Sequence, residues 1–400
     1  MPRFEPFRGI RYNFTESDPV EVTAPPYDVI SPAQRAELLL ASPANVVRID
    51  LPVADPAHPR TDPYVDAAEV FAEWRDTGFL VEDPEPSFTV YRMEVTDEDG
   101  ISRHTTGVVG AMELSRPGED GILPHEFTTP KAKSDRLDLL RSTVANLSPV
   151  WGLSPSAGLT GLLDTEDEPL ARFTVDDVTH TVWRITEPSR VAAIGAAVSA
   201  HPIVIADGHH RYETSLAYRD ERRAADGGDA GGAESVLCFV VELVDDELTV
   251  GPIHRLVSGL PEGFDVIAAL EPFFEIGEFE ITGTRTVRRL EEAGGLALVL
   301  PDRTALLRPR AEVIAAARDL DTSRLDIALA ALPESTVVYQ HGIRNVVGRV
   351  ASGEAQVGFL LRPATVAQIV EIAHGGERMP PKTTFFSPKP RTGVVFRDLH

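Results

Sequence analysis

The stretch from His201 to Arg223, HPIVIADGHHRYETSLAYRDERR, constrains the fold more than any other part of the chain. Its apolar run at 203–206 has the β-branched content of a buried strand. Asp207-Gly208 interrupts that run, and glycine supplies the backbone freedom a sharp turn needs. A polar run with helical character follows. A strand that turns straight into a helix leaves the helix N-terminus at the strand's end. There the first backbone N–H groups have no internal partner, and the dipole favours an anion. His209, His210 and Arg211 add side-chain donors at the same end, where cations are otherwise unfavourable. Together these features suit a phosphate group. A plainer reading has Asp207 capping the helix and the histidines packing on a neighbour. Zinc fits poorly, because adjacent histidines point apart on a helix and no H-x-x-x-H or cysteine pair supports them. Magnesium shared between Asp207 and nucleotide phosphates fits better, since that ion takes one or two carboxylates plus phosphate oxygens.

Composition narrows the partners. Lys plus Arg total 38 and Asp plus Glu total 62, a net charge of −24. Such a surface repels nucleic acid and anionic membrane, so an anionic ligand needs a local basic patch. No segment has the 18 or so apolar residues of a membrane span, and MPRFEPFRGIRY lacks a secretory h-region. The expectation is a cytoplasmic protein. The single cysteine, Cys238, lies in the apolar run VLCFVVELV and reads as a buried strand residue. At about 150 residues per domain, 400 residues suggest two or three domains.

Along the chain, the first 30 residues (PFRGIRY, APPYDVIS) read as ordered irregular backbone, because X-Pro units force extension. Ser31 and Pro32 open a helix. VVRIDLP reads as a strand and 64–80 as an amphipathic helix. SFTVYRMEV and SRHTTGVVGAMEL form a hairpin across DEDG. A helix is expected at 134–145, a strand at VDDVTHTVWRI, a helix at SRVAAIGAAVSA, and strands at 236–244 and 247–251. Residues 227–232 form a Gly-rich loop without assigned chemistry. Residues 263–375 alternate short strands and helices and read as a second α/β unit.

Other chemistry-bearing residues cluster. His125, Glu126, Lys131, Asp135 and Arg136 crowd the segment PHEFTTPKAKSDR. Glu126 is the first choice for a base on a substrate hydroxyl, with Asp28 of PPYDVIS second. His125, Asp28 and Arg136 are candidate substrate contacts, and Arg8 and Arg11 possible anion contacts. The chain has 34 arginines but four lysines, and the lysines sit in two short segments: Lys131 with Lys133, and Lys382 with Lys389. An ammonium is a compact point charge for which arginine is a poor substitute. The tail also carries Arg378, Arg391 and Arg397 with no acid between, and reads as a basic strap over the anion site. Ile253-His254-Arg255 reads as structural. No P-loop, G-x-G-x-x-G or H-E-x-x-H is present.

ADGHHRYETS, together with PFRGIRY, PPYDVIS, PHEFT, KSDR and MPPKTTFFSPKP, resembles a large bacterial and archaeal family of unknown function over nearly the whole chain. The core Gly208-His209-His210-Arg211 is similar to the phosphate-binding turn of the ParB/sulfiredoxin superfamily, which includes sulfiredoxins, ParB nucleotide-binding proteins and free serine kinases. The serine kinases carry the same Asp-Gly-His-His-Arg string, so the resemblance implies a small-molecule kinase. Sulfiredoxins carry a catalytic cysteine where this chain has His209, which argues against sulfenyl reduction. ParB proteins carry basic DNA-binding surfaces that a −24 chain does not suggest.

The resulting expectation is an α+β protein. A ParB/sulfiredoxin-like core spans residues 1–250, a smaller α/β unit 251–377, and a returning strap 378–400. ATP or ADP with Mg2+ would phosphorylate a hydroxylated, serine-like metabolite. Glu126, Asp207 and His210 would be catalytic, and Asp207 would also hold the metal. Gly208, His209, His210, Arg211, Lys131, Lys382 and Lys389 would hold phosphates. A nucleotide sensor without turnover and a phosphoester hydrolase are the alternatives. The acceptor and the oligomeric state are left open.

Overall fold

The structure, a computed structural model, describes residues 1–400 except 55–61, 97–101, 117–118, 120, 125–129, 245–246, 376–378 and 381. Mixed α/β architecture is divided between two compact units. The first comprises Met1–Leu248 and Pro388–His400, and the second Thr249–Ser387. The chain thus rejoins its first unit at Pro388, ten residues beyond the sequence-based boundary at 378.

The first unit is built on a nine-stranded mixed sheet. Strand Ile203–Asp207 lies between Ile122–Pro124, to which it is parallel, and Val150–Ser154, to which it is antiparallel. Val150–Ser154 then pairs parallel with Ser235–Glu242, and the long hairpin Phe88–Thr96 with Ser102–Glu113 follows. Val178–Ile185 and Ala171–Val175 complete that side. Asp176 and Asp177 close this last hairpin at φ 52° and 60°, the left-handed conformation that short polar residues tolerate. The strand residues pointing inward, including Val108, Val150, Ile203, Ile205, Cys238 and Val240, form one continuous core. Cys238 is fully buried there. Burial pushes its thiol well above the ordinary range, so it is an inert packing residue.

A second core of the same unit gathers the N-terminal segment, the helix Pro63–Asp76 and the returning C-terminal segment. Phe396 is completely buried, edge-on to Tyr12 and Phe71. Ser31 caps the helix Pro32–Ala41 through a reciprocal capping box with Gln34. The segment VVRIDLP departs from its expected strand: Val47–Asp50 is a helical turn. Asn45 starts it by accepting the Val47 N–H at 3.1 Å, and Val46, Val47 and Ile49 are buried in this core. Tertiary burial here overrides β-branched propensity. The N-terminal stretch likewise holds short strands and the turn Tyr27–Val29 rather than wholly irregular backbone.

The second unit has a six-stranded sheet in which all the strand pairs are antiparallel. Its alternation of strands and helices therefore does not produce the parallel crossovers of an α/β fold. His254 and Arg255 are buried in strand His254–Ser258, and His254 Nδ1 accepts the Leu361 N–H at 3.2 Å, in keeping with a structural role. A short ribbon pairs Thr249–Pro252 with Thr384–Ser387, so the unit's first and last strands lie side by side.

Phe396→Ala tests whether the returning segment is part of the first unit's core. Truncating a fully buried phenylalanine costs about 3–5 kcal/mol, and urea unfolding of the variant should show a loss of that size. A loss below about 1 kcal/mol would mean that the segment is only peripherally attached.

Candidate functional site

Strand Ile203–Asp207 breaks its register between Ile205 and Asp207, which turns Asp207 toward the helix that follows. Gly208 has φ 84°, and a Cβ there would come within 3.0 Å of the Arg211 guanidinium. Glycine is thus required both by the backbone and by the close approach of Arg211. The helix His209–Ala225 begins without a side-chain cap. Tyr212 anchors it by donating to the Ser115 carbonyl at 2.6 Å, and Arg219 by donating to the Leu114 carbonyl at 2.6 Å.

Asp207 is gripped from two sides. Lys389 Nζ lies 2.6 Å from Oδ1 and Arg211 Nη2 lies 2.8 Å from Oδ2. Arg211 also donates to the Pro149 carbonyl. Burial alone would push the Asp207 carboxyl up. Lys389 and Arg211, with a smaller contribution from His209, overcome it and hold the group well below the usual carboxylate range. Burial likewise works against the Lys389 ammonium, but Asp207 and Asp28 raise its pKa. Asp28 stands 3.7 Å from Lys389 Nζ, with its side chain 36% exposed.

Around this centre lies a second buried pair. Arg136 donates from Nη1 to the Asp50 carbonyl at 2.6 Å and sits 3.4 Å from Asp50 Oδ1. Its guanidinium stacks 4.1 Å above the Tyr27 ring, and Asp135 bridges its outer edge at 2.9 Å. Burial pushes the Tyr27 hydroxyl up, while Arg211 and Arg136 oppose the shift. Tyr27 is therefore held beside Arg136 and Arg211, and Asp28 beside Lys389.

The structure brings Asp28, Asp207, Gly208, Arg211 and Lys389 together. His209 and His210 occupy the first turn of the helix, half-buried. Arg136 is tied in through Asp50 and Tyr27. His125 and Glu126 lie outside the described residues, and the side chains of Lys131 and Lys133 are not described. Lys382 is exposed, at φ 60°, and belongs to the second unit. The basic strap resolves into different roles. Arg391 is buried, donating to the Thr23 hydroxyl at 2.8 Å, and Arg397 donates to the Ser235 carbonyl at 3.0 Å. Both are structural, and of the strap's described cations Lys389 is the one paired with Asp207. Arg11 and Arg8 serve structure as well: Arg11 pairs with buried Asp83 at 2.7 Å, and Arg8 donates to its carbonyl at 3.0 Å.

Asp50 and Tyr27 escaped sequence reasoning. Asp50 lay in a segment read as a strand, and Tyr27 carries no charge to draw notice. Among the described residues no group of three or more His, Cys, Asp or Glu could hold a metal ion, and no helix is long and apolar enough to cross a membrane. A larger cavity of about 340 Å3 lies in the second unit, where Asp321 and Arg362 satisfy each other at 2.6 Å.

The sequence profile of a family described as "Protein of unknown function (DUF1015)" matches residues 4–327. No curated protein matches the chain in sequence. Solved structures similar to it include a conserved hypothetical protein from Pyrococcus furiosus, at 15% identity and TM-score 0.38, covering 70% of this chain and 93% of that one. A free serine kinase in complex with AMP matches at 14% identity and TM-score 0.38, covering 69% and 88%. SbnI with a C-terminal truncation, from Staphylococcus aureus, matches at 12% identity and TM-score 0.40, covering 72% and 85%.

The grip on Asp207 makes a pH prediction. Its lowered pKa stabilises the fold at neutral pH, fully above the unfolded carboxyl value of about 3.9, and that contribution fades as pH falls toward the folded value. Urea titrations of the wild type and Asp207→Asn should differ most above pH 5 and converge toward pH 2. A gap that stays constant down to pH 2 would show that the ion pairs contribute nothing. Lys389→Met should cost about 1.5–3 kcal/mol at pH 7, the range for hydrogen bonds to charged groups.

Proposed function

The chain belongs to the DUF1015 family, and we propose that it is a small-molecule kinase, transferring a phosphoryl group from ATP or ADP to a hydroxyl of a small metabolite. The observation that carries this reading is the Asp207 turn: an uncapped helix N-terminus entered through left-handed Gly208, with Arg211 and Lys389 aimed at one point. Phosphoryl transfer needs little covalent chemistry from the protein. It needs positioning and positive charge where the transferred group's oxygens gather. Arg211 and Lys389 offer that charge, and His209, His210 and the first backbone N–H groups add donors.

Within this reading Asp207 orients the cations. Both its oxygens are engaged and it stays ionised, so it holds Lys389 and Arg211 ready for an incoming phosphate. The same two cations work against Asp207 as a magnesium ligand. Asp28, more exposed and beside Lys389, is better placed to meet a nucleotide's divalent ion or the acceptor hydroxyl. Glu126 is the other candidate base. His125 and Arg136 would contact the acceptor, and Lys131 would add to phosphate binding; Lys382 belongs to the second unit and has no part in this reading. A serine-like acceptor follows from the shared Asp-Gly-His-His-Arg string, as does a ParB/sulfiredoxin-like core.

The fully engaged Asp207 also favours a second reading, a nucleotide sensor without turnover. Incubation with labelled ATP or ADP, Mg2+ and a pool of hydroxylated metabolites separates the two. Label transferred to a metabolite supports the kinase. Tight binding without transfer supports the sensor, and release of inorganic phosphate points to a hydrolase. Arg211→Ala should weaken nucleotide binding by about 1.5–3 kcal/mol in calorimetry, and unchanged affinity in a folded variant removes the anion site. Glu126→Gln and Asp28→Asn should separate the base from its neighbours. The true base should lose about 10²–10⁴-fold in rate with nucleotide affinity nearly intact.

A further inference from the structure

We infer that the crevice between Arg136 and Arg211 is a subsite for one oxyanion group of a ligand, a phosphoryl or a carboxylate, with the Thr214 hydroxyl as a donor. The inference rests on the reading that an anionic ligand binds at the Asp207 turn, and it adds residues and a defined location to that reading.

Thr214 and Ser215 are consecutive in the helix His209–Ala225, and both are buried. Ser215 resolves its hydroxyl in the ordinary helical way, donating to the Arg211 carbonyl at 2.9 Å. Thr214 does not. Its Oγ1 is buried, and among the described residues it has no hydrogen-bond partner. Arg211 Nε, one turn earlier, is likewise buried without one. A buried hydroxyl and a guanidinium N–H left unsatisfied at neighbouring positions are unfavourable unless something else meets them.

Both residues line one crevice of about 50 Å3, together with Arg136, Asn146 and Ser148. That is room for a few waters or one oxyanion group, and too little for a nucleoside. Two arginines among its lining residues, Arg136 and Arg211, favour the oxyanion. Asp50 is the acid among the lining residues and is paired with Arg136, while Asp135 meets Arg136 and Asp207 meets Arg211 from outside the lining. Burial pushes the Asp50 carboxyl up, and Arg136 and Arg211 oppose the shift.

The test uses the full chain, with inorganic phosphate and acetate as separate probes, followed by calorimetry and thermal melting. Thr214→Val keeps the shape and removes the hydroxyl; Thr214→Ser keeps the hydroxyl. The ligand-free Val variant should melt at or above the wild type, because it loses an unsatisfied polar group. It should bind the preferred anion about 10-fold more weakly or worse, the equivalent of one hydrogen bond to a charged group, while the Ser variant binds nearly as wild type. Preference for phosphate identifies a phosphoryl subsite, and preference for acetate a carboxylate subsite. The inference is overturned if neither anion binds the wild type, if Thr214→Val binds as tightly as wild type, or if the ligand-free Val variant is markedly less stable, which would give the hydroxyl to a structural water. Anion binding that survives in a protein with no phosphoryl transfer would leave this subsite standing and remove only the kinase.

Discussion

The ion pair between Asp207 and Lys389 joins residues 182 positions apart, and the local architecture follows from it. A carboxylate at the end of a buried strand is unfavourable unless its charge is met. Arg211 meets one oxygen from the following helix, at a spacing of four residues. The other oxygen is met from a segment the chain reaches only after completing another unit. That requirement helps to explain why Pro388–His400 folds with the first unit. Further contacts of the segment, among them Arg391 on Thr23, Arg397 on Ser235 and Phe396 between Tyr12 and Phe71, give Lys389 a rigid mount.

The local pattern at Asp207 was legible because it is written in consecutive residues. An apolar run, Asp-Gly and a polar helical run specify strand, turn and helix without tertiary information. The lysine scarcity was legible too, though only in part: Lys389 reaches Asp207, while Arg391 donates to the hydroxyl and carbonyl of Thr23 and Arg397 to backbone carbonyls. Apart from the returning strap, what could not be read was pairing between residues distant in sequence. Asp50 looks like one more acid in an acidic chain until Arg136, 86 residues later, is seen against it. Val46, Val47 and Ile49 look like a strand because β-branched residues favour one, and only burial against the neighbouring helix decides otherwise. Short strands and helices in alternation read as an α/β unit at 263–375, and the strand pairs there are antiparallel. Pairing direction depends on connections that periodicity does not record.

The charge distribution reconciles a net charge of −24 with an anion site. Long-range repulsion is screened within about 8 Å at physiological ionic strength, so a phosphate group at the turn senses chiefly its immediate neighbours. Those neighbours are arranged as alternating charges, Asp28, Lys389, Asp207 and Arg211, rather than as a bare cluster of cations. Such an arrangement keeps its cations fixed without a ligand, and binding then requires little reorganisation.

The return of residues 388–400 to the first unit also bears on how the protein is made. A ribosome releases Asp207, and the whole second unit, before it releases Lys389. Until then the nascent first unit lacks Phe396 from its core and an ammonium from its buried carboxylate. The second unit closes on its own late residues, when Thr384–Ser387 reaches Thr249–Pro252. The order of synthesis therefore leaves the first unit open until residues 388–400 have been made, so that a chain stopped before Lys389 carries an unfinished site.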